Sequence, residues 1–226
     1  MYTPSLPSQS ALRPLPRTGA AVTPMAFVQA IVRAYALRGM DATHVLRQAQ
    51  IAPEKVADPQ ARITAWQMEA LCEGAMRELD DEALGWFTRR LPWGSYGMLA
   101  RASITAPHLG VALARWCRHH GLLTDSIALT LTTEGATAQV TLQERDPPGG
   151  DGALREFCLV SVLRNLHGLA CWWVDAPISP QLAQFPFDAP PHADVYPRLF
   201  PGPSWCGRTG ATWGWRGACA SCCSSR

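Results

Sequence analysis

Trp93-Gly94-Ser95-Tyr96-Gly97 opens the stretch that decides the fold, a run to Gln143 that joins a glycine-punctuated turn, a helix and a β-hairpin without a long loop. Gly94 and Gly97 permit backbone angles closed to other residues and let the chain pass close to its neighbours. Beyond the turn, Thr105 is placed to cap a helix, and Pro107 suits its first turn. Leu109, Leu113, Trp116 and His120 share one face, and Gly121 stands where a left-handed terminal residue is expected. The period then changes from helical to alternating. Ile127, Leu129 and Leu131, and after Thr133-Glu134-Gly135 also Ala138, Val140 and Leu142, form the two apolar sides of a half-buried hairpin.

Working outward, residues 1–24 hold five prolines and little apolar material, and are expected to be a disordered leader. Phe27, Ile31, Ala34 and Tyr35 predict a helix over 25–38 closed by Gly39, and Asp41 should cap a short second helix through Gln48. The pair superficially suggests helix-turn-helix. However, a DNA-reading helix needs exposed basic and amide side chains, and Ala42–Gln50 offers only His44, Arg47 and Gln48. Thr64 with Gln67 reads as a capping box for a core helix carrying Met68, Leu71, Cys72, Ala75 and Leu79. Asp80 or Asp81 should begin another short helix with Leu84, Trp86 and Phe87, stopped by Pro92.

After the hairpin, residues 153–173 are apolar on most sides and predict a long buried helix lying across the sheet. Residues 178–187 suggest a strand that Pro180 and Pro186 shorten or push to an edge, and residues 192–200 a short helix broken by Pro197. Helices first, then hairpin, helix, strand and helix, give the α+β class: N-terminal helices packed with a small antiparallel sheet that the long buried helix covers.

Composition narrows the function. At 226 residues with 47% hydrophobic side chains, the chain can build one sizeable core. Setting aside Arg13, Arg17, Arg208, Arg216 and Arg226 leaves 15 of the 20 basic residues against all 18 acidic ones, a mildly acidic body that is a poor footprint for nucleic acid. No secretory leader is legible, and Arg164, Asn165 and His167 interrupt the longest apolar run, so a cytoplasmic protein without a membrane span is expected. Cys72, Cys117, Cys158 and Cys171 sit singly within helical patterns, as small buried hydrophobes rather than a disulfide framework.

Tyr96-Gly97-Met98-Leu99-Ala100, Ser103, Leu109-Gly110 and Ala112-Leu113 ahead of a hairpin resemble the N-terminal effector-binding domain of AraC-type transcription regulators, the arabinose-binding-domain-like kind. Gly39-Met40-Asp41, Leu46, Ile51 and Asp58-Pro59-Gln60-Ala61-Arg62-Ile63 resemble that domain's entrance, and Tyr196-Pro197-Arg198-Leu199-Phe200 a late helix. The likeness covers about residues 25–203. It implies a ligand-sensing domain that binds a small organic effector and forms a homodimer, and that touches DNA only through a C-terminal helix-turn-helix domain, which this chain is expected to lack. The alternatives are a stand-alone small-molecule-binding protein and an enzyme of another class.

From Ser204 the text changes character: residues 204–226 hold three Trp, four Cys and four Gly, with no Val, Ile, Leu, Met, Phe or acidic residue. This tail is expected to be out of frame or disordered. Cys206, Cys219, Cys222 and Cys223 offer a zinc alternative, but with only one properly spaced pair; no metal and no cofactor is expected.

Four residues stand out as candidates for effector binding: Trp93 and Tyr96 beside the glycine turn, and Trp116 and His120 on the apolar face of the following helix. His120 would reach a cavity between helix and sheet and pair with an anionic effector, since its charge is easily tuned near neutral pH. Packing aromatics and a half-buried histidine are the plainer reading, and Arg115, Arg118 and His119 suit the helix's negative end. No catalytic site is expected. Gly94-Ser95-Tyr96-Gly97 lacks the spacing of a nucleophile elbow, and Cys117 beside His120 would need an exposed, acidified thiol.

Overall fold

The structure, a computed structural model, describes residues 19–146, 152–207 and 211–216. A two-residue strand, β1 (Thr23–Pro24), pairs antiparallel with β2 (Arg62–Ile63) and fastens the start of helix α1 (Met25–Ala36). Thr23 and Pro24 therefore belong to the folded body, not to the expected leader, whose first 18 residues lie outside the described residues. Phe27, Val28, Ile31, Ala34 and Tyr35 form the buried stripe of α1. Gly39 ends the turn beyond it with φ 66°.

Asp41 acts as expected one residue out of register. Its Oδ1 accepts from the Thr43 amide at 3.1 Å and from the Thr43 hydroxyl at 2.9 Å, opening α2 (Thr43–Gln48). Helix α2 packs on α3 (Ala65–Glu78). The capping box of α3 is present. The Gln67 amide donates to Thr64 Oγ1 at 3.2 Å, and the Thr64 amide to Gln67 Oε1 at 3.0 Å.

The segment after α3 departs from expectation. Residues 80–94 form turns rather than a helix, with positive φ at Asp80, Leu84, Gly85 and Gly94. Acidic residues here are internal caps of a loop. Asp81, fully buried, accepts from the amides of Ala83, Gly85 and Leu91, each at 3.0 Å, and from the Arg38 guanidinium. The glycine turn that follows is the start of an unanticipated helix, α4 (Ser95–Ile104), with Gly94 at its N-cap in a left-handed conformation. Thr105 consequently ends α4 and does not start α5 (Leu109–His120), which His108 caps instead. Gly121 keeps ordinary right-handed angles, φ −64°.

Strands β3 (Ile127–Glu134) and β4 (Thr137–Glu144) form the expected hairpin, with Leu129 opposite Leu142 and a tight turn at Gly135. Helix α6 (Gly152–Val174) then packs against α1 and α5. It is apolar nearly all round because most of it is inside. By length and composition alone α6 could cross a membrane, contrary to expectation, but half of its most apolar stretch is buried in this fold. It is the core helix.

The chain closes with β5 (Leu182–Gln184), α7 (Tyr196–Leu199), β6 (Ser204–Trp205) and β7 (Ala211–Arg216). Pro197 lies in the first turn of α7, where a missing amide costs nothing, and so helps to start the helix. The larger sheet runs β3-β4-β7-β5-β6, antiparallel except for the β5–β6 pair. Two expectations change. β5 is short, as its prolines require, but it is interior to the sheet. The segment from Ser204 contributes two strands, with Ala211 and Trp213 fully buried and Val140 of β4 opposite Trp213. Ala211 and Trp213 alternate as a strand's inward face must, and one indole supplies the apolar area that aliphatic residues usually bring. The remaining tail cysteines, Cys219, Cys222 and Cys223, lie outside the described residues.

Candidate functional site

The site is assembled by helix spacing. Trp116 and His120, four apart on α5, occupy one face and are each about 1% exposed. Tyr96, in the first turn of α4, stacks on Trp116 with ring centroids 5.8 Å apart and planes 14° from parallel. Its hydroxyl lies 3.3 Å from His120 Nε2. Helix α6 brings Trp173 edge-on to Trp116 at 6.1 Å, and the loop after α3 brings Phe87 edge-on to His120 at 6.1 Å. Three of the four expected residues thus meet in one aromatic cluster.

Trp93 does not. It is 46% exposed, and its ring lies under the Arg77 guanidinium, 4.4 Å from the ring centroid, on the outside of the loop. The turn at Gly94 sends residues 93 and 96 to different sides.

What holds Tyr96 in place is Glu82. Its two carboxylate oxygens accept from the amides of Gly94 and Tyr96, each at 2.7 Å, and so cap the positive end of α4 with a buried anion.

Burial governs the electrostatics. His120 is pushed down to about 4 by desolvation, so its imidazole is neutral near pH 7. To pair with an anion, His120 would have to take up a proton as the anion enters. Burial likewise pushes the Tyr96 hydroxyl well above its ordinary range, so it keeps its proton. Cys117 is raised to about 12 by burial, the opposite of an activated nucleophile.

Three polar atoms of the cluster are buried without a hydrogen-bond partner: Trp116 Nε1, Trp173 Nε1 and His120 Nδ1. Buried polar groups nearly always have partners, and the Trp86 indole nitrogen, in the neighbouring core, is likewise buried without one.

The model for the arabinose-binding domain of AraC transcription regulators, N-terminal part, matches residues 39–218. The chain belongs to the AraC family of transcription regulators.

Within that family the chain is similar to the ornithine utilization regulator of Pseudomonas aeruginosa, with 24% identity over 182 residues, covering 80% of this chain and 53% of that protein. Among solved structures it matches the transcriptional regulator CdpR of Pseudomonas aeruginosa at 18% identity and TM-score 0.43, covering 80% of this chain and 55% of that one. The chain spans about half the length of each. The matched region of this AraC-family chain runs through β7, so the segment that composition alone sets apart lies partly inside the family domain.

Away from this cluster the AraC-family domain has an open groove of about 790 Å³ between α1, α2 and the start of α6, lined by Ala30, Val32, Leu46 and Val56. Its polar rim is already engaged: the Gln29 amide donates to the Val56 carbonyl at 2.7 Å, and Asp41 is held by Thr43. The groove has shape but little recognition chemistry to spare. Sequence reading missed Trp173, absorbed into the apolar surface of α6, and Glu82, which follows the acids Asp80 and Asp81 that look like a helix start. The one legible signal was the placing of an acid before a glycine turn. Among the described residues, no group of three or more His, Cys, Asp or Glu could hold a metal.

Proposed function

We propose that the chain is the effector-sensing part of its regulator and that a small organic molecule enters at the Tyr96, Trp116, His120 and Trp173 cluster. The observation that carries this is the set of three buried, unpartnered nitrogens among those rings. Occupying them would tighten α4, α5 and α6 against one another, because each supplies at least one of the four residues. An effector that binds the tightened arrangement better than the loose one shifts the population between them. Two copies of the domain associate, and promoter recognition belongs to another part of the regulator. The mildly acidic body between residues 25 and 203 supports that division of labour.

The test is a screen of small organic molecules against the purified chain by thermal shift and tryptophan fluorescence, with Tyr96→Ala and Trp116→Phe beside wild type. Ligands of the cluster raise Tm and change fluorescence in wild type and lose at least tenfold in affinity in the variants. Ligands that bind wild type and both variants equally place the site elsewhere and overturn the reading. Sedimentation equilibrium tests association, and specific retention of promoter DNA by this chain would overturn the division between sensing and DNA contact.

A further inference from the structure

The charges on either side of the turn at Trp93 are sorted by sign along the chain. From Thr64 to Glu82 the sequence holds six acids and a single base, Arg77, whereas from Ala83 to Thr124 it holds five arginines and no acid. Asp81 and Glu82 are buried. The other four acids, Glu69, Glu73, Glu78 and Asp80, are exposed, and so are Arg89, Arg90, Arg101 and Arg118. An acidic surface on α3 and the loop after it therefore borders a basic surface on α4 and α5.

Trp93 joins the two. Its amide donates to Asp80 Oδ1 at 3.2 Å, and its ring lies under Arg77, which pairs with Glu73 at 2.9 Å, so the acidic end of α3 reaches the indole. One residue on, Gly94 caps α4, whose outward side carries Met98, 54% exposed, and Arg101. Arg115 continues this side onto α5, its Nη1 donating to Thr105 Oγ1 at 3.3 Å. In order of contact the acids of α3 come first, Trp93 and Met98 next, and the arginines of α4 and α5 last. Two large apolar side chains are thus left in water between groups of opposite charge, the make-up of a surface that another molecule covers.

A partner of one sign meets its like at one end of this face. Nucleic acid or an acidic protein is repelled at α3, and a basic protein at α4 and α5. A second copy of the chain, turned by a two-fold axis through the centre, lays its arginines on these acids and its acids on these arginines, and brings the two Trp93–Met98 pairs together at the axis. We infer that this face, centred on Trp93 and Met98, is where two copies associate. The inference rests on the reading that the domain forms a homodimer, and it names the surface. The indole and thioether at the centre are the anchors that lose water on contact, and the flanking charges set orientation and register.

The experiment uses the full chain, with sedimentation equilibrium to measure self-association and hydroxyl-radical footprinting of wild type below and above the dimer Kd. Association should at least halve the oxidation of Trp93 and Met98 and leave Trp172, 53% exposed on α6, unchanged. Glu69→Lys with Glu73→Lys, and separately Arg101→Glu with Arg118→Glu, should each weaken self-association at least tenfold, because each brings like charges together across the axis. An equimolar mixture of the two double variants restores opposite charges at both ends and should form a dimer nearly as tight as wild type. Footprinting needs no variant, so a poorly folding one does not decide the outcome. A wild-type dimer in which Trp93 and Met98 react as fast as in the monomer, or variants that dimerise like wild type, would leave association intact and put the interface elsewhere. A chain that stays monomeric at high micromolar concentration overturns association and this face together. Protection of Trp93 and Met98 in such a monomer by polyglutamate or polylysine would give the face to a partner of one sign.

Discussion

The Glu82 carboxylate and the Tyr96 amide are 2.7 Å apart, and through this bond a loop acid sets the position of the ring that stacks on Trp116. Replacing Glu82 with Ala leaves the Gly94 and Tyr96 amides buried or half-buried without an acceptor at the positive end of α4. The expected loss is about 1–3 kcal/mol, the range for a lost cap and unsatisfied donors. Glu82→Gln keeps one acceptor oxygen and should lose less. Urea denaturation measures both; an Ala variant as stable as wild type would show that the cap carries no weight.

His120 makes stability depend on pH in a defined window. Its folded pKa, about 4, lies below its ordinary value of 6.5, so between those values the unfolded chain binds a proton that the folded chain does not. Stability therefore rises with pH through this window, is fully present above about 6.5, and is lost as pH falls towards 4, by about 3 kcal/mol in all. His167, also lowered by burial, acts in the same direction. The His120 part is isolated by His120→Phe: the stability difference between wild type and variant should narrow or reverse in sign from pH 7 to pH 4.5. A difference constant with pH refutes it.

The sequence made most of this fold legible because its strongest signals are local. The Thr64–Gln67 box, the α5 stripe and the β3–β4 alternation are each specified by residues close together in the chain, and each is found. What failed depends on distant partners. The 80–94 loop has helix-starting acids, yet Asp81 turns inward to a guanidinium 43 residues away. Trp93 and Tyr96 look equivalent until the backbone at Gly94 separates them. In the site, Trp116 and His120 could be paired from spacing, whereas Trp173 arrives from α6 by tertiary packing alone.

The clearest case of distant specification is Trp213. It is fully buried on β7, which joins β4 to β5 and so closes the sheet. Trp213→Ala removes a whole indole from the core, and the expected loss is about 3–5 kcal/mol. Ending the chain at Pro203 should be worse, because β5 loses both of its partners and β4 is left with β3 alone. Chemical denaturation and dye binding to exposed apolar surface check this. A chain ending at Pro203 with wild-type stability would place the domain boundary before Ser204 after all.

Glu156 offers a test of how α6 is locked to the end of the domain. Its Oε1 lies 2.7 Å from both His192 Nε2 and the Tyr196 hydroxyl, in an environment where all three residues are buried. Burial first, then the Glu156 charge and hydrogen bond, push the Tyr196 hydroxyl far above its ordinary range, so the phenol remains a donor at every pH at which the protein folds. Glu156→Ala strips two buried groups of their shared acceptor and should cost about 3–5 kcal/mol, as removing one partner of a buried polar set does. Glu156→Gln keeps the side-chain oxygen and still accepts from Tyr196, so its cost should be well under half of that. The comparison separates hydrogen bonding from charge: equal losses in Ala and Gln would mean that the negative charge, held against His192, is what secures α6, while a mild Gln variant assigns the role to the oxygen itself.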